Sequence, residues 1–188
     1  MIMGDGTVPA LLLTAAIAAR AFGILLFGAA VVSKLRHFRE FTLIVARYLA
    51  VPVGVARPAA ALVAGLETAT ALLLLLPGWP RAGAMLAILL LLGFAGTMAR
   101  ALARGERELD CGCMYGALRQ RVRWELVVRN VVIAIPFVPL FLVPGWSDVP
   151  LIALDGMATG ALFFILVVAF GVFLALDDSF AELKRRYG

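Results

Sequence analysis

Long apolar runs separated by short polar stretches dominate this chain. Five runs approach or exceed the ~20 mostly apolar residues that a helix needs to cross a bilayer core. The five predicted spans are residues 8–32, 58–76, 82–99, 124–143 and 151–176, with a loop at 100–123. We therefore predict an all-α polytopic membrane protein, a bundle of about five transmembrane helices, with residues 1–188 forming a single transmembrane domain.

The polar stretch after the first span, LRHFREFTLIVARYLA, has two chemically distinct faces at helical spacing. One face carries Phe38, Phe41, Val45 and Tyr48, and the other carries Arg36, Arg39, Glu40 and Arg47. This pattern is typical of a helix lying in the membrane interface.

Composition supports a bilayer environment. The chain is 63% hydrophobic and 15% charged, whereas soluble domains have about 25% charged residues. Its start lacks the basic segment of a signal peptide, so we interpret the first run as a retained span. The net charge of +5 is not accompanied by a basic-aromatic patch, so nucleic-acid binding is not predicted.

Most of the 17 Lys and Arg residues fall in the first loop, the 100–123 loop and the C-terminal tail. Only Arg81 lies in one of the two Pro-Gly-Trp connections. The positive-inside rule then predicts a multi-pass protein of the cell inner (cytoplasmic) membrane, with the N-terminus outside and the C-terminus and the 100–123 loop at the cytoplasmic face.

The chain's only two cysteines, Cys111 and Cys113, lie in that loop within the sequence DCGCMYG. With one histidine, His37, they cannot complete a zinc site alone, and iron-sulfur clusters need about four thiolates. No metal is predicted. A Cys-Gly-Cys pair can cycle between dithiol and disulfide through a mixed disulfide with a partner; ordinary reduced loop cysteines remain the alternative.

Charged and polar residues inside spans are costly, so each suggests a role. Arg20 and Glu67 lie near the middle of the first and second spans, and we predict an ion pair between them that fixes helix packing. Arg129 and Asn130 lie just below the start of the fourth span, where they would support the cysteine loop. Gly23, Gly28, Gly93 and Gly96 suggest close helix packing.

Several of these residues together resemble the MauE family of methylamine-utilisation membrane proteins, within the broader DoxX-like group. The resemblance runs from about Gly23 to Pro136 and is most specific in the Cys-Gly-Cys block. It is carried by Ser33-Lys34-Leu35, Phe41 to Tyr48, Pro52, Leu66-Glu67, Arg104-Gly105, Asp110-Cys111-Gly112-Cys113-x-x-Gly116, Trp124 and Arg129-Asn130. The family usually has Phe-Gly after the second cysteine, where this chain has Met114-Tyr115-Gly116.

The resemblance implies a DoxX-like four-helix core with an extra C-terminal span. It further implies a thiol-disulfide oxidoreductase role, in which Cys111 and Cys113 exchange electrons with a thioredoxin-like partner and support maturation of extracytoplasmic proteins such as a dehydrogenase. Arg129 would then give electrostatic support, and Asn130 and Glu67 structural support. Disulfide formation is chemistry of the outer side, whereas the charge count puts the thiols inside, so either electrons cross the membrane or the loop is reached from outside.

Two other functions remain open. One is a non-catalytic assembly or scaffold subunit of an oxidoreductase complex, with the cysteine loop as its docking surface. The other is electron exchange with a membrane quinone, which relatives of the Dox type suggest although no residue in the sequence requires it. No cofactor is otherwise predicted.

Overall fold

The computed structural model describes residues 10–106, 121–142, 157–169, 172 and 176. These residues form helices joined by short turns. In chain order they are α1 (Ala10–Arg36), α2 (Phe38–Leu49), α3 (Val53–Leu75), α4 (Pro80–Ala103), α5 (Trp124–Ala134), a 3-10 turn (Ile135–Phe137), α6 (Val138–Leu142) and α7 (Met157–Ala169). The predicted all-α polytopic bundle is confirmed.

Within the described part of the chain, three helices are long and apolar enough to cross a bilayer: α1, α3 and α4, with 27, 23 and 24 residues. At ~1.5 Å per residue each exceeds the ~30 Å of a hydrocarbon core. The fourth predicted span is divided into α5, the 3-10 turn and α6. Pro136 has no backbone N–H, so it cannot donate the hydrogen bond that a continuous α-helix needs at this position. Only α7 is described in full within the fifth.

The predicted amphipathic helix after the first span is α2. Phe41 and Ile44 are buried against the bundle, while Arg39 and Arg47 are exposed. The helix ends at Ala50, whose φ of 54° is left-handed, and Val51 N–H then donates to the carbonyl of Ala46 at 3.0 Å. This turn redirects the chain through Pro52 into α3.

Helices α1, α3 and α4 pack through small residues. Ala84 and Ala87 of α4 are completely buried, and a Cβ atom added at Gly83 would lie 2.8 Å from the backbone nitrogen of Leu74 in α3. Such close approach maximises dispersion contacts where the lipid supplies no hydrophobic driving force.

Close packing is found at only one of the four predicted glycines. A Cβ atom added at Gly23 would meet Leu74 and Phe137 within 2.7 Å, whereas one added at Gly28, Gly93 or Gly96 would have no atom of the described residues within 4 Å. The prediction was therefore wrong for these three, since spacing within a run does not reveal which face meets another helix.

The two ends of the bundle differ in charge. The end that carries α2, the start of α3 and the end of α4 holds most of the described basic residues: Lys34, Arg36, Arg39, Arg47, Arg57, Arg100 and Arg104. The opposite end carries the turn at residues 76–79 and the exposed Arg81. We call the first end the basic end.

Candidate functional site

The most deeply buried charges form one ion pair between α1 and α3. Lys34 Nζ donates to Glu67 Oε1 at 2.6 Å, with only 2% and 1% of the two side chains exposed. Lys34 Nζ also lies 5.1 Å from the ring centroid of Phe41 and 5.6 Å from that of Phe94. Cation–π attraction to both rings therefore adds to the ion pair in keeping the ammonium group inside the protein.

The predicted Arg20–Glu67 ion pair was wrong, and the reason is side-chain direction. In a helix the Cα–Cβ bond tilts toward the N-terminus. Lys34 therefore leans back along α1 toward the level of Glu67, and Glu67, on an antiparallel helix, leans toward Lys34. Arg20 leans in the same direction along α1, but it lies nearer the N-terminus of the helix, so this direction takes it away from Glu67 and toward Leu74 at the opposite end of the bundle.

Arg20 instead binds the C-terminal end of α3. Its Nε and Nη2 donate to the carbonyl of Leu74 at 3.2 and 3.1 Å, and its side chain is 3% exposed. The last four carbonyls of a helix have no intrahelical donor, and a cation is favoured at the negative end of the helix dipole. Arg20 thus satisfies a carbonyl that would otherwise be costly in the membrane.

A cavity of about 300 Å³ lies beside the Lys34–Glu67 pair. Its wall is mostly apolar and is contributed by α1, α2, α3, α4, α5 and α7. The polar side chains in the wall are Lys34, Tyr48, Glu67, Thr97, Arg129 and Asn130. Three predicted supporting residues, Glu67, Arg129 and Asn130, therefore line one cavity, whereas Arg20 lies at the other end.

Asn130 is 3% exposed, and its Nδ2 donates to Met98 Sδ at 3.7 Å. A thioether sulfur is a weak acceptor. Met98 also packs with Val122 and Leu126 in a buried cluster at the basic end. The cavity wall is therefore continuous with the start of α5, immediately after the cysteine-bearing segment.

Residues 107–120, which include Cys111 and Cys113, lie outside the described residues. Before this segment, Arg104 Nη2 donates to the carbonyl of Tyr48 on α2 at 3.4 Å. After it, Val122 is 1% exposed and packs against Met98. Both ends of the segment are thus attached at the basic end, beside the cavity.

An exposed ion pair adjoins the start of that segment. Arg104 Nε and Nη2 donate to the two carboxylate oxygens of Glu106 at 2.9 and 3.0 Å. These hydrogen bonds lower the pKa of Glu106 and raise that of Arg104. The pair is therefore charged at neutral pH and lost only as pH falls through the lowered pKa of Glu106.

Lys34 is the site residue that the sequence reasoning missed. Two features of the sequence point to Lys34. A glutamate inside a span needs a cation nearby, and Arg20, Phe27 and Lys34 lie on one face of α1 at seven-residue spacing. The predicted first span ends at residue 32, which puts Lys34 in the following loop, whereas α1 continues to Arg36.

Comparison with known proteins identifies relatives over most of the chain. A family model described as "Methylamine utilisation protein MauE" matches residues 11–142. The Methylamine utilization protein MauE of Paracoccus denitrificans is 40% identical over 116 residues, 62% of each chain, and that of Methylorubrum extorquens is 39% identical over the same length and shares. The one from Paracoccus versutus is 31% identical over 178 residues, 90% of this chain and 94% of the relative.

The match thus spans about three fifths of the first two relatives' length. No solved structure matches the chain significantly.

Proposed function

Because this chain belongs to the MauE family, we propose that it is a membrane thiol-disulfide redox protein acting in methylamine utilisation. Cys111 and Cys113 form the exchanging pair and a thioredoxin-like protein is the exchange partner. This exchange supports disulfide formation in an extracytoplasmic protein, such as a dehydrogenase, that matures at the cell inner membrane.

One observation carries the proposal. The segment holding the chain's only two cysteines starts and ends at the basic end, between the Arg104–Tyr48 contact and buried Val122. Because the residues on both sides of the segment lie at the basic end, a partner that docks at this end could meet both thiols.

The exchange balances without a metal. A thiolate of the partner attacks the Cys111–Cys113 disulfide and forms a mixed disulfide, releasing one cysteine as thiolate. The partner's second thiolate then attacks its own sulfur in the mixed disulfide and releases the other cysteine. The partner gains a disulfide, and the pair takes up the two electrons and two protons that the partner has lost.

Substituting either cysteine tests the proposal. The unaltered chain is expected to restore growth on methylamine to Paracoccus denitrificans lacking its own MauE, and Cys111→Ser and Cys113→Ser are each expected to abolish that growth. The matched control is Met114→Leu, which leaves both thiols in the same segment. In the purified protein, mild reduction should release two alkylatable thiols.

Growth that persists in both single-cysteine variants would reject thiol exchange. If those variants also retained their partner in pull-downs, the chain would instead be a scaffold subunit that docks through this segment. Failure of the unaltered chain to restore growth would count against methylamine utilisation alone, because the thiol titration is independent of that assay.

A further inference from the structure

Two hydrogen-bond donors in the mostly apolar cavity wall, Lys34 and Asn130, are almost fully buried. Lys34 Nζ has three N–H donors, and among the described residues Glu67 Oε1 is its one hydrogen-bond acceptor. Asn130 Nδ2 has the weak acceptor Met98 Sδ. Buried donors of this kind gain free energy from a ligand that brings acceptor oxygens.

The residues that line the cavity suit an aromatic or quinonoid ring attached to an apolar tail. Phe41, Tyr48 and Phe94 supply aromatic surfaces in its wall. Leu62 of α3 lines the same cavity and is 64% exposed. Since Leu62 lies about 14 Å along α3 from Val53, this part of the cavity wall lies at membrane depth.

Depth and charge decide between classes of lipid. Glu67 lies near the middle of α3 and already neutralises Lys34. A phosphate or carboxylate headgroup would have to leave the interface and lose its hydration to reach them. A neutral headgroup with carbonyl oxygens avoids that cost, and Arg129 in the wall makes the surroundings favourable for electron uptake by such a group.

We propose that this cavity binds the headgroup of a lipid-soluble quinone, with Lys34 and Asn130 as donors to its carbonyl oxygens. The next step rests on the proposed thiol exchange. In this step the quinone regenerates the disulfide of Cys111 and Cys113. The two thiols give up two electrons and two protons, one S–S bond forms, and the quinone is reduced to the quinol. The two thiols and the quinone are the complete set of reactants.

Binding is tested by calorimetric titration of the purified full-length protein in detergent with a short-chain ubiquinone. We expect saturable binding with one site per chain. Ala59→Phe, which places a ring in the cavity wall, is expected to weaken affinity at least about tenfold, the equivalent of 1.4 kcal/mol. The matched control is Ala61→Phe, exposed on the same helix and outside the cavity wall, which should bind as the unaltered chain does.

The polar groups are tested with the double variant Lys34→Met/Glu67→Leu. Removing both members of a buried ion pair can leave folding intact, and its helical circular dichroism and elution profile check this. We expect ubiquinone affinity to fall about tenfold or more. Asn130→Leu, which removes the second donor, should weaken binding in the same direction.

Three results would overturn the quinone site: no saturable ubiquinone binding, affinity unchanged in both Ala59→Phe and the double variant, or a stoichiometric phospholipid that ubiquinone fails to displace. Thiol exchange is tested separately by adding a dithiol and measuring quinol. Cys111→Ser should bind ubiquinone normally and form no quinol. Binding by the unaltered chain without quinol formation would reject the proposed thiol exchange and leave the binding site standing.

Discussion

Lys34 and Glu67 are almost fully buried, so their energetics are those of an internal ion pair. The attraction between such charges roughly offsets the cost of removing both from water, whereas a single remaining charge retains its cost without compensation. The two phenyl rings beside Lys34 Nζ lessen that cost for the ammonium but not for the carboxylate. Glu67 therefore depends on Lys34 more than Lys34 depends on Glu67.

Lys34→Met is expected to lower the free energy of unfolding by about 3–5 kcal/mol, because it removes one member of a buried ion pair. Glu67→Leu should cost less, and the double variant Lys34→Met/Glu67→Leu less than either. The measurement is reversible unfolding in mixed micelles, analysed as a double-mutant cycle.

The matched control is the exposed pair. Arg104→Met removes the cation from Glu106, whose side chain is 40% exposed, and should leave the free energy of unfolding nearly unchanged. Additive single-variant effects at Lys34 and Glu67 would show that the two charges do not interact.

Sequence reasoning located two of the buried charges, Arg20 and Glu67, but missed Lys34 and the actual pairing. Arg20 and Glu67 lie near the middle of their apolar runs, so hydropathy predicts similar membrane depths for the two residues. Pairing depends on the direction of each side chain and on where the neighbouring helix ends, and Arg20 found the free carbonyl of Leu74 instead. Neither the direction of a side chain nor the end of the neighbouring helix can be obtained from the periodicity of a single helix.

At the scale of elements, the contact between α3 and α4 is controlled by one glycine. Gly83 faces the backbone of Leu73 and Leu74, so an added Cβ atom meets main-chain atoms that cannot rotate away. Because Gly83 follows Pro80 in the first turn of α4, any displacement there would alter the entire hairpin of α3 and α4.

Gly83→Val is therefore expected to destabilise the protein by about 1–3 kcal/mol through overpacking, measured as a lower melting temperature in detergent. The matched control is Gly93→Ala on the same helix, where nothing lies within 4 Å of the added Cβ atom. It should raise stability by up to about 1 kcal/mol, since Ala is the better helix former. Equal effects of the two substitutions would refute the close contact.

Helix type and approximate position follow from the apolar runs, but helix ends do not. The polar residues Ser33, Lys34 and Arg36 lie inside α1, because Lys34 is neutralised by a partner from elsewhere in the chain. Helix α3 begins at Val53 although Pro58 suggests a later start, since the turn before Pro58 is closed by Val55 and Ala56, whose N–H groups donate to the carbonyl of Pro52 at 3.0 and 3.1 Å.

For the whole molecule, the unequal charge of the two ends predicts orientation. The basic end, which carries α2 and the attachment points of the cysteine segment, should face the cytoplasm. The turn at residues 76–79 should then face outward. The structure shows which features lie at the same end of the bundle, and a labelling experiment can show which end faces the cytoplasm.

We expect a membrane-impermeant thiol reagent to label Cys111 and Cys113 in inverted vesicles, because the charge of the basic end places their flanking residues at the cytoplasmic face. Labelling in intact cells as well is what disulfide formation on the outer side requires. Two controls use a background with both cysteines replaced by serine: Arg39→Cys, exposed on α2, and Trp79→Cys, 60% exposed at the opposite end. The first should be labelled only in inverted vesicles and the second only in intact cells.

Labelling of Arg39→Cys from outside would show that the orientation is reversed. If the native cysteines were labelled from both sides while the two controls kept their sides, the cysteine segment would be reached from both faces, as an electron conduit requires.

The Lys34–Glu67 pair also affects biosynthesis. Helix α1 leaves the ribosome before α3, so for a time Lys34 has no carboxylate to neutralise it. During that interval its flexible side chain would keep the ammonium in the headgroup region, and α1 would sit shallower than in the finished protein. Lys34 is neutralised only when Glu67 enters the membrane, so we expect α1 to reach its final depth after α3 has inserted.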